Sequence, residues 1–217
     1  MLHGALGSAR EFFSLLEVEG HLTIMDFIGH GYMEKKPFSI ESLTEQVIRM
    51  IETDIRGDLA VVGYSMGGYV ALNVARTKPD AFTKIITLGT KFNWSKEVAE
   101  KEVGFLDADL LRKKQPEYAS YLEDIHDDTW PDLIENTRNM MLGLGSNPIL
   151  TEAELASIRV PVTICRGSKD QMVTEQESKW AAEHLPNGEY RELENVPHAL
   201  NKVDDDVIYS LYREAAE

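Results

Sequence analysis

The stretch Leu59-Ala60-Val61-Val62-Gly63-Tyr64-Ser65-Met66-Gly67-Gly68, followed by Val70, Ala71, Val74 and Ala75, decides the fold. Its first half is a short apolar run, the mark of a strand buried on both faces of a parallel sheet, and its second half repeats apolar residues at helical spacing. A strand that turns at once into a helix forces the residue at the turn into a strained backbone conformation. The flanking positions then need minimal side chains so that strand and helix can approach. Gly63, Gly67 and Gly68 meet that need. The turn lifts the Ser65 hydroxyl above the carboxyl end of the strand and sets the Met66 N–H at a helix N-terminus, where negative charge is favoured. Ser65 is therefore a candidate nucleophile, and Met66 a candidate backbone donor to an oxyanion.

Outward from this turn, apolar runs at 22–26, 84–88 and 162–166 repeat the pattern of 59–64, a further strand is read at 189–193, and helical patterns lie between them. Such alternation predicts an α/β fold, a doubly wound and mostly parallel sheet. Residues 40–51 place Ile40, Leu43, Val47, Met50 and Ile51 along one helix face, with Ser39 as N-cap. Thr174 and Glu177 stand at capping-box spacing before a helix that Pro186, Asn187 and Gly188 stop. The stretch 91–158 has no convincing strand and is rich in aromatic residues and methionine. It reads as a helical lid inserted into a core made of 1–90 and 159–217. Most of its aromatic residues pack that layer, and Phe92, Trp94 and Trp130 are the candidates for substrate contact.

A serine hydroxyl is a poor nucleophile at neutral pH unless a base stands within hydrogen-bond reach and an acid orients that base. Gly167-Ser168-Lys169-Asp170 follows the run at 162–166, and Asn195-Val196-Pro197-His198 follows the next one. Asp170 and His198 are thus expected at the carboxyl edge that carries Ser65, in the chain order serine, acid, histidine. The loop Gly89-Thr90-Lys91-Phe92-Asn93 contains no carboxylate to rival Asp170. Near the start, His3-Gly4-Ala5-Leu6-Gly7-Ser8 has the shape of a second oxyanion loop, with the Ala5 amide as donor. Leu6 and Tyr64, beside these donors, are further candidates for substrate contact.

The net charge of −15 and pI near 4.8 oppose binding to nucleic acid or anionic lipid. No apolar run approaches the ~20 residues that a bilayer span needs, and no basic-then-apolar leader opens the chain. Cytoplasmic residence is the expectation, with a small molecule as partner. One cysteine, Cys165, lies within an apolar run and is expected to be buried and inert. His126-Asp127-Asp128 lacks a second set at ligand spacing, so no metal or other cofactor is expected. Asp204-Asp205-Asp206 reads as the start of the last helix.

His3-Gly4 with Gly7-Ser8, Asp26 with Gly29-His30-Gly31, the Gly63–Gly68 stretch, Gly167 with Asp170, and His198 together resemble the α/β-hydrolase superfamily nearly from end to end. The resemblance implies a lid inserted between the sixth and seventh strands of that fold and a Ser65-Asp170-His198 triad beneath it. It also implies one of several chemistries: ester or thioester hydrolysis through an acyl-enzyme, or a carbon–carbon hydrolase or lyase reaction with the same residues. A non-catalytic binding protein on this fold is a third class. Residues 3–8 with 63–68 are similar to the menaquinone-pathway synthase that eliminates pyruvate, but Tyr69 stands where that family usually has arginine. The superfamily also usually has two strands ahead of the His-Gly strand, and several residues leading into it. With only Met1 and Leu2 before His3, either the start lies upstream or the uncharged edge Leu22-Thr23-Ile24-Met25 is covered by a rearranged N-terminus or a partner chain, such as a second copy.

Overall fold

The computed structural model describes residues 1–17, 21–55 and 57–217. In chain order its main elements are α1 (Ile40–Asp54), β1 (Ala60–Tyr64), α2 (Met66–Thr77), β2 (Lys84–Leu88), α3 (Lys96–Val103), α4 (Ala108–Lys114), α5 (Pro116–His126), α6 (Trp130–Ser146), α7 (Glu152–Ser157), β3 (Val162–Gly167), α8 (Glu175–His184), β4 (Gly188–Leu193) and α9 (Asp205–Ala216). The four strands lie side by side in that order and all pairs are parallel. The expected α/β fold is the one observed, and no strand lies between β2 and β3, where α3 to α7 are inserted.

The sheet is buried on both faces along β1, β2 and β3, which is why those strands are apolar at consecutive positions, while the edge strand β4 is part-exposed and carries Glu189, Arg191 and Glu192. Val61, Ile85, Val162 and Ile164 face a core shared with α1, α2 and α8, including Leu43, Val70 and Ala181. The alternate residues Val62, Tyr64, Ile86, Leu88 and Cys165 face a second core with Phe12, Leu15 and Ile208, Leu211 and Tyr212 of α9. The period-two split of one strand between two cores fixes the sheet's register, because a one-residue slip would exchange the faces. A third cluster of Leu111, Ala119, Leu122, Trp130 and Ile134 lies within the inserted helices.

Helix starts fall where their signals stand. The Ser39 hydroxyl accepts from the Ser42 amide while the Ser42 hydroxyl accepts from the Ser39 amide, a reciprocal cap. Thr174 caps α8 through the Glu177 amide, and Asp204 caps α9 through the Asp206 amide.

The run at 22–26 departs from expectation: it forms no strand. Only Met25 pairs there, as a single parallel bridge to Leu2, while the terminal amine donates to the Thr23 carbonyl at 2.7 Å. Leu2 also bridges Gly63, its amide bonding the Val62 carbonyl at 3.0 Å and its carbonyl taking the Tyr64 amide at 2.9 Å. Leu2 therefore covers the edge of β1. The pairing stops there because the chain turns away at Gly4, and an apolar run without a partner ladder stays irregular. No helix among the described residues is long and apolar enough to cross a membrane.

Candidate active site

Ser65 sits between β1 and α2 with φ 50° and ψ −115°, a region that non-glycine residues rarely occupy. The strain is held in place from both sides. The Ser65 amide donates to the Leu88 carbonyl at 2.8 Å, and its carbonyl takes a hydrogen bond from the Thr90 hydroxyl at 3.0 Å. A Cβ on Gly63 would lie 2.5 Å from the Gly68 Cα, so the close crossing of strand and helix requires glycine there.

His198 arrives from the loop after β4 and Asp170 from the loop after β3. Their side chains meet: His198 Nδ1 stands 2.7 Å from Asp170 Oδ2, and His198 Nε2 stands 3.5 Å from Ser65 Oγ. The other Asp170 oxygen accepts the Met172 and Val173 amides at 2.8 and 2.9 Å. Burial alone would raise the Asp170 pKa. The hydrogen bond and charge of His198, with the Val173 and Met172 amides, outweigh it and hold the carboxyl below its usual range. Gly89, at φ 63°, passes beside this pair; a Cβ there would come within 3.2 Å of Asp170 Oδ2 and 3.3 Å of His198 Nδ1. Sequence reasoning singled out Gly89 only as part of a loop without a carboxylate, because its contacts lie 81 and 109 positions away.

Residues 4–7 form a tight turn closed by the Gly7 amide on the Gly4 carbonyl at 3.2 Å. Three fully buried histidines surround it. His3 Nε2 accepts the Phe27 amide at 3.1 Å, so its Nδ1 carries the proton and donates to the Gly4 carbonyl at 2.8 Å. His30 Nε2 reaches the Ala5 carbonyl at 2.7 Å. His126 Nδ1 accepts the Gly31 amide at 2.8 Å, so its Nε2 donates to the Leu6 carbonyl at 3.0 Å. Burial pushes all three imidazoles below their usual pKa, His126 to about 4, and they are neutral at pH 7. Among the described residues, the Ala5, Leu6 and Met66 amides have no hydrogen-bond acceptor.

A small cavity of about 40 Å³ opens on Ser65 and is lined by Ala5, Met66, Tyr69, Lys91, Trp94 and Glu102, with Ile40, Met140, Met141, Leu144 and Met172 completing an apolar wall. Lys91 Nζ stands 3.3 Å from Glu102 Oε1. A larger cavity of about 470 Å³ between Phe92, Trp94, Leu150 and Trp180 does not touch Ser65. The chemistry follows the smaller one, because Ser65 lines it and not the larger.

The structure thus gathers Ser65, Asp170, His198, Ala5, Met66 and Trp94 at one place and sets the other named residues apart from it. Trp130 is 2% exposed within the inserted helices under the Arg112 guanidinium, which fills its ring face at 4.8 Å. Phe92 lines the larger cavity. Tyr64 does not reach the cavity either: its ring packs against Gly4 and its hydroxyl donates to the His198 carbonyl at 2.5 Å. Leu6 presents its carbonyl to His126 and its side chain to the protein interior. Among the described residues, no group of three or more His, Cys, Asp or Glu is placed to hold a metal ion.

The sequence profile of the alpha/beta hydrolase family matches residues 1–208. The chain is similar to a pimeloyl-[acyl-carrier protein] methyl ester esterase of Aromatoleum aromaticum, 25% identical over 199 residues that cover 79% of this chain and 77% of that one. It is also similar to an AB hydrolase superfamily protein of Gibberella zeae, 30% identical over 95 residues, which cover 41% of this chain and about a third (34%) of that relative's length. Among solved structures, an enol-lactonase from Burkholderia xenovorans superposes with a TM-score of 0.76 at 19% identity, over 99% of this chain and 89% of that one.

Proposed function

The chain belongs to the alpha/beta hydrolase family, and from that premise we propose that it is a carboxylesterase, hydrolysing an ester or thioester through an acyl-enzyme on Ser65. The observation that carries the reading is the relay of Ser65 Oγ, His198 and Asp170 at 3.5 and 2.7 Å on a serine held at φ 50°. In this reading Ser65 Oγ attacks the substrate carbonyl carbon as His198 Nε2 takes its proton. Asp170, kept ionised, fixes the tautomer with the proton on Nδ1 and stabilises the imidazolium that forms. The oxyanion that develops is received by the free amides of Ala5 and Met66, the latter at the N-terminus of α2. His198 then returns the proton to the departing alcohol or thiol. A water, deprotonated by the same imidazole, releases the acyl group and restores Ser65. The 3.5 Å separation is one that substrate binding tightens.

The inserted helices act as the lid in this reading, since Met140, Met141 and Leu144 of α6 wall the Ser65 cavity. Such a cavity suits a compact apolar acyl group. A multiply anionic lyase substrate fits poorly: Lys91 is the one cation among the described residues lining it, and Glu102 already engages that charge. The relative from Aromatoleum, named as an ester hydrolase, supports the same direction.

Replacing Ser65 by alanine tests the assignment. Against a panel of short p-nitrophenyl esters and acyl thioesters, Ser65→Ala is expected to lose at least about a thousandfold in kcat and to abolish labelling by a fluorophosphonate. Undiminished turnover in this variant rejects Ser65 as nucleophile.

A further inference from the structure

The inserted helices do more than cover the site, because two of their buried side chains grip the turn that carries the Ala5 amide. His126, the last residue of α5, is wholly buried and donates from Nε2 to the Leu6 carbonyl at 3.0 Å while accepting the Gly31 amide at Nδ1. Thr137, on α6 and also wholly buried, points its hydroxyl at the Ala5 carbonyl at 3.5 Å, beside the bond from His30. The carbonyls of Gly4, Ala5 and Leu6 are thus received in succession by His3, His30 and His126.

A trans peptide is planar with its C=O and N–H pointing in opposite directions, so anchoring a carbonyl also aims the next residue's amide. The His3 bond on Gly4 aims the Ala5 N–H, and the bonds on Ala5 and Leu6 fix the two peptide planes that follow. The Leu6 carbonyl shares its peptide plane with the Gly7 amide, which bonds the Gly4 carbonyl at 3.2 Å, and that carbonyl shares its plane with the Ala5 N–H, so the hold of His126 on Leu6 reaches the Ala5 amide through the bond that closes the turn. His3 adjoins the turn and His30 stands 25 positions from Ala5, whereas His126 stands 120 positions from Leu6, on the inserted layer.

We infer that His126 is a positioning residue that ties the placement of the inserted helices to the aim of the Ala5 amide, with Thr137 as a weaker second tie. The inference rests on the esterase reading. The Ala5 donor is correctly aimed only while α5 and α6 are seated. Seating the layer therefore serves the transition state, with its developing oxyanion, more than it serves ground-state binding.

Two substitutions split the imidazole into its halves. His126→Asn keeps an acceptor for Gly31 but is too short to reach Leu6. His126→Gln places a donor near the Nε2 position. With p-nitrophenyl acetate or butyrate, His126→Asn is expected to lower kcat about tenfold or more while KM stays within about twofold, and His126→Gln to recover most of the loss. The affinity of phenylboronic acid, whose tetrahedral adduct on a serine places an oxygen at the oxyanion position, should weaken in His126→Asn by a factor similar to the fall in kcat. Thr137→Val should move both quantities in the same direction by a smaller factor, and it decides by the same readouts should neither imidazole variant fold. Unchanged kcat in the folded variants, a loss confined to KM, or a fall in kcat with unchanged boronate affinity overturns the role of His126. A wild-type chain that neither turns over the ester panel nor binds the boronate overturns the esterase reading itself.

Discussion

Tyr64 shows how one side chain can serve a site without entering it. It occupies the position before the nucleophile, its ring walls Gly4, and its hydroxyl holds the His198 carbonyl at 2.5 Å. Burial pushes its phenol well above the usual range, so it remains a donor throughout the working pH range. Its ring also lies 5.6 Å from the imidazole of His198. Tyr64→Phe keeps the ring and removes the bond, which leaves a buried carbonyl less well paired and the His198 loop less constrained. The expected result is a kcat lower by about three- to thirtyfold, the equivalent of one hydrogen bond, with binding of short esters little changed. Stopped-flow acylation with a chromogenic ester measures it, and a wild-type rate would show that the His198 loop holds its place without the bond.

Elements were legible in the sequence wherever their cause is local. The turn at Ser65 needs glycine within a few residues, α1 and α8 carry their caps beside them, and β1 to β3 are apolar because both faces of the sheet are covered there. The run at 22–26 carries the same local signal as those strands, yet a strand is completed by its neighbour, and Leu2 supplies a single bridge. Candidate site residues divide along the same line. Ser65, Asp170 and His198 follow strands whose ends a parallel sheet must bring together, so their meeting follows from topology. Trp130 could not be placed that way, because which face of a helix meets a pocket is set by packing between α4, α5 and α6. The bond from His126 to Leu6 spans 120 positions and leaves no pattern in either segment. The histidine drew attention only beside two aspartates, as a metal ligand set that lacked members.

Across the whole molecule, buried neutral histidines make stability depend on pH. For His3, His30 and His126 the folded pKa lies below the unfolded value near 6.5, His126 at about 4. Between those values the unfolded chain binds more protons than the folded one, so stability is present above the unfolded pKa and falls as pH drops toward the folded pKa. For His126 the shift to about 4 corresponds to on the order of 2 kcal/mol between pH 7 and pH 5, and His3 and His30 act in the same direction. Glu11, raised by burial to about 7, and Glu177, also raised by burial, act in the opposite sense over this range and offset part of the fall. Thermal melts at fixed ionic strength should show a lower Tm at pH 5 than at pH 7. A Tm that holds or rises would mean that the buried carboxyls, gaining protons over this range, outweigh the imidazoles. Cys165 adds a second, chemical readout at this scale. It is the chain's one sulfhydryl, it lies wholly covered in β3 between α9 and the neighbouring strands, and burial raises its pKa to about 12. A thiol-specific dye can therefore reach it only when the sheet itself opens. Its labelling rate should stay low while the inserted helices swing and should climb with global unfolding, giving motion over the site and rupture of the scaffold separate clocks in one molecule.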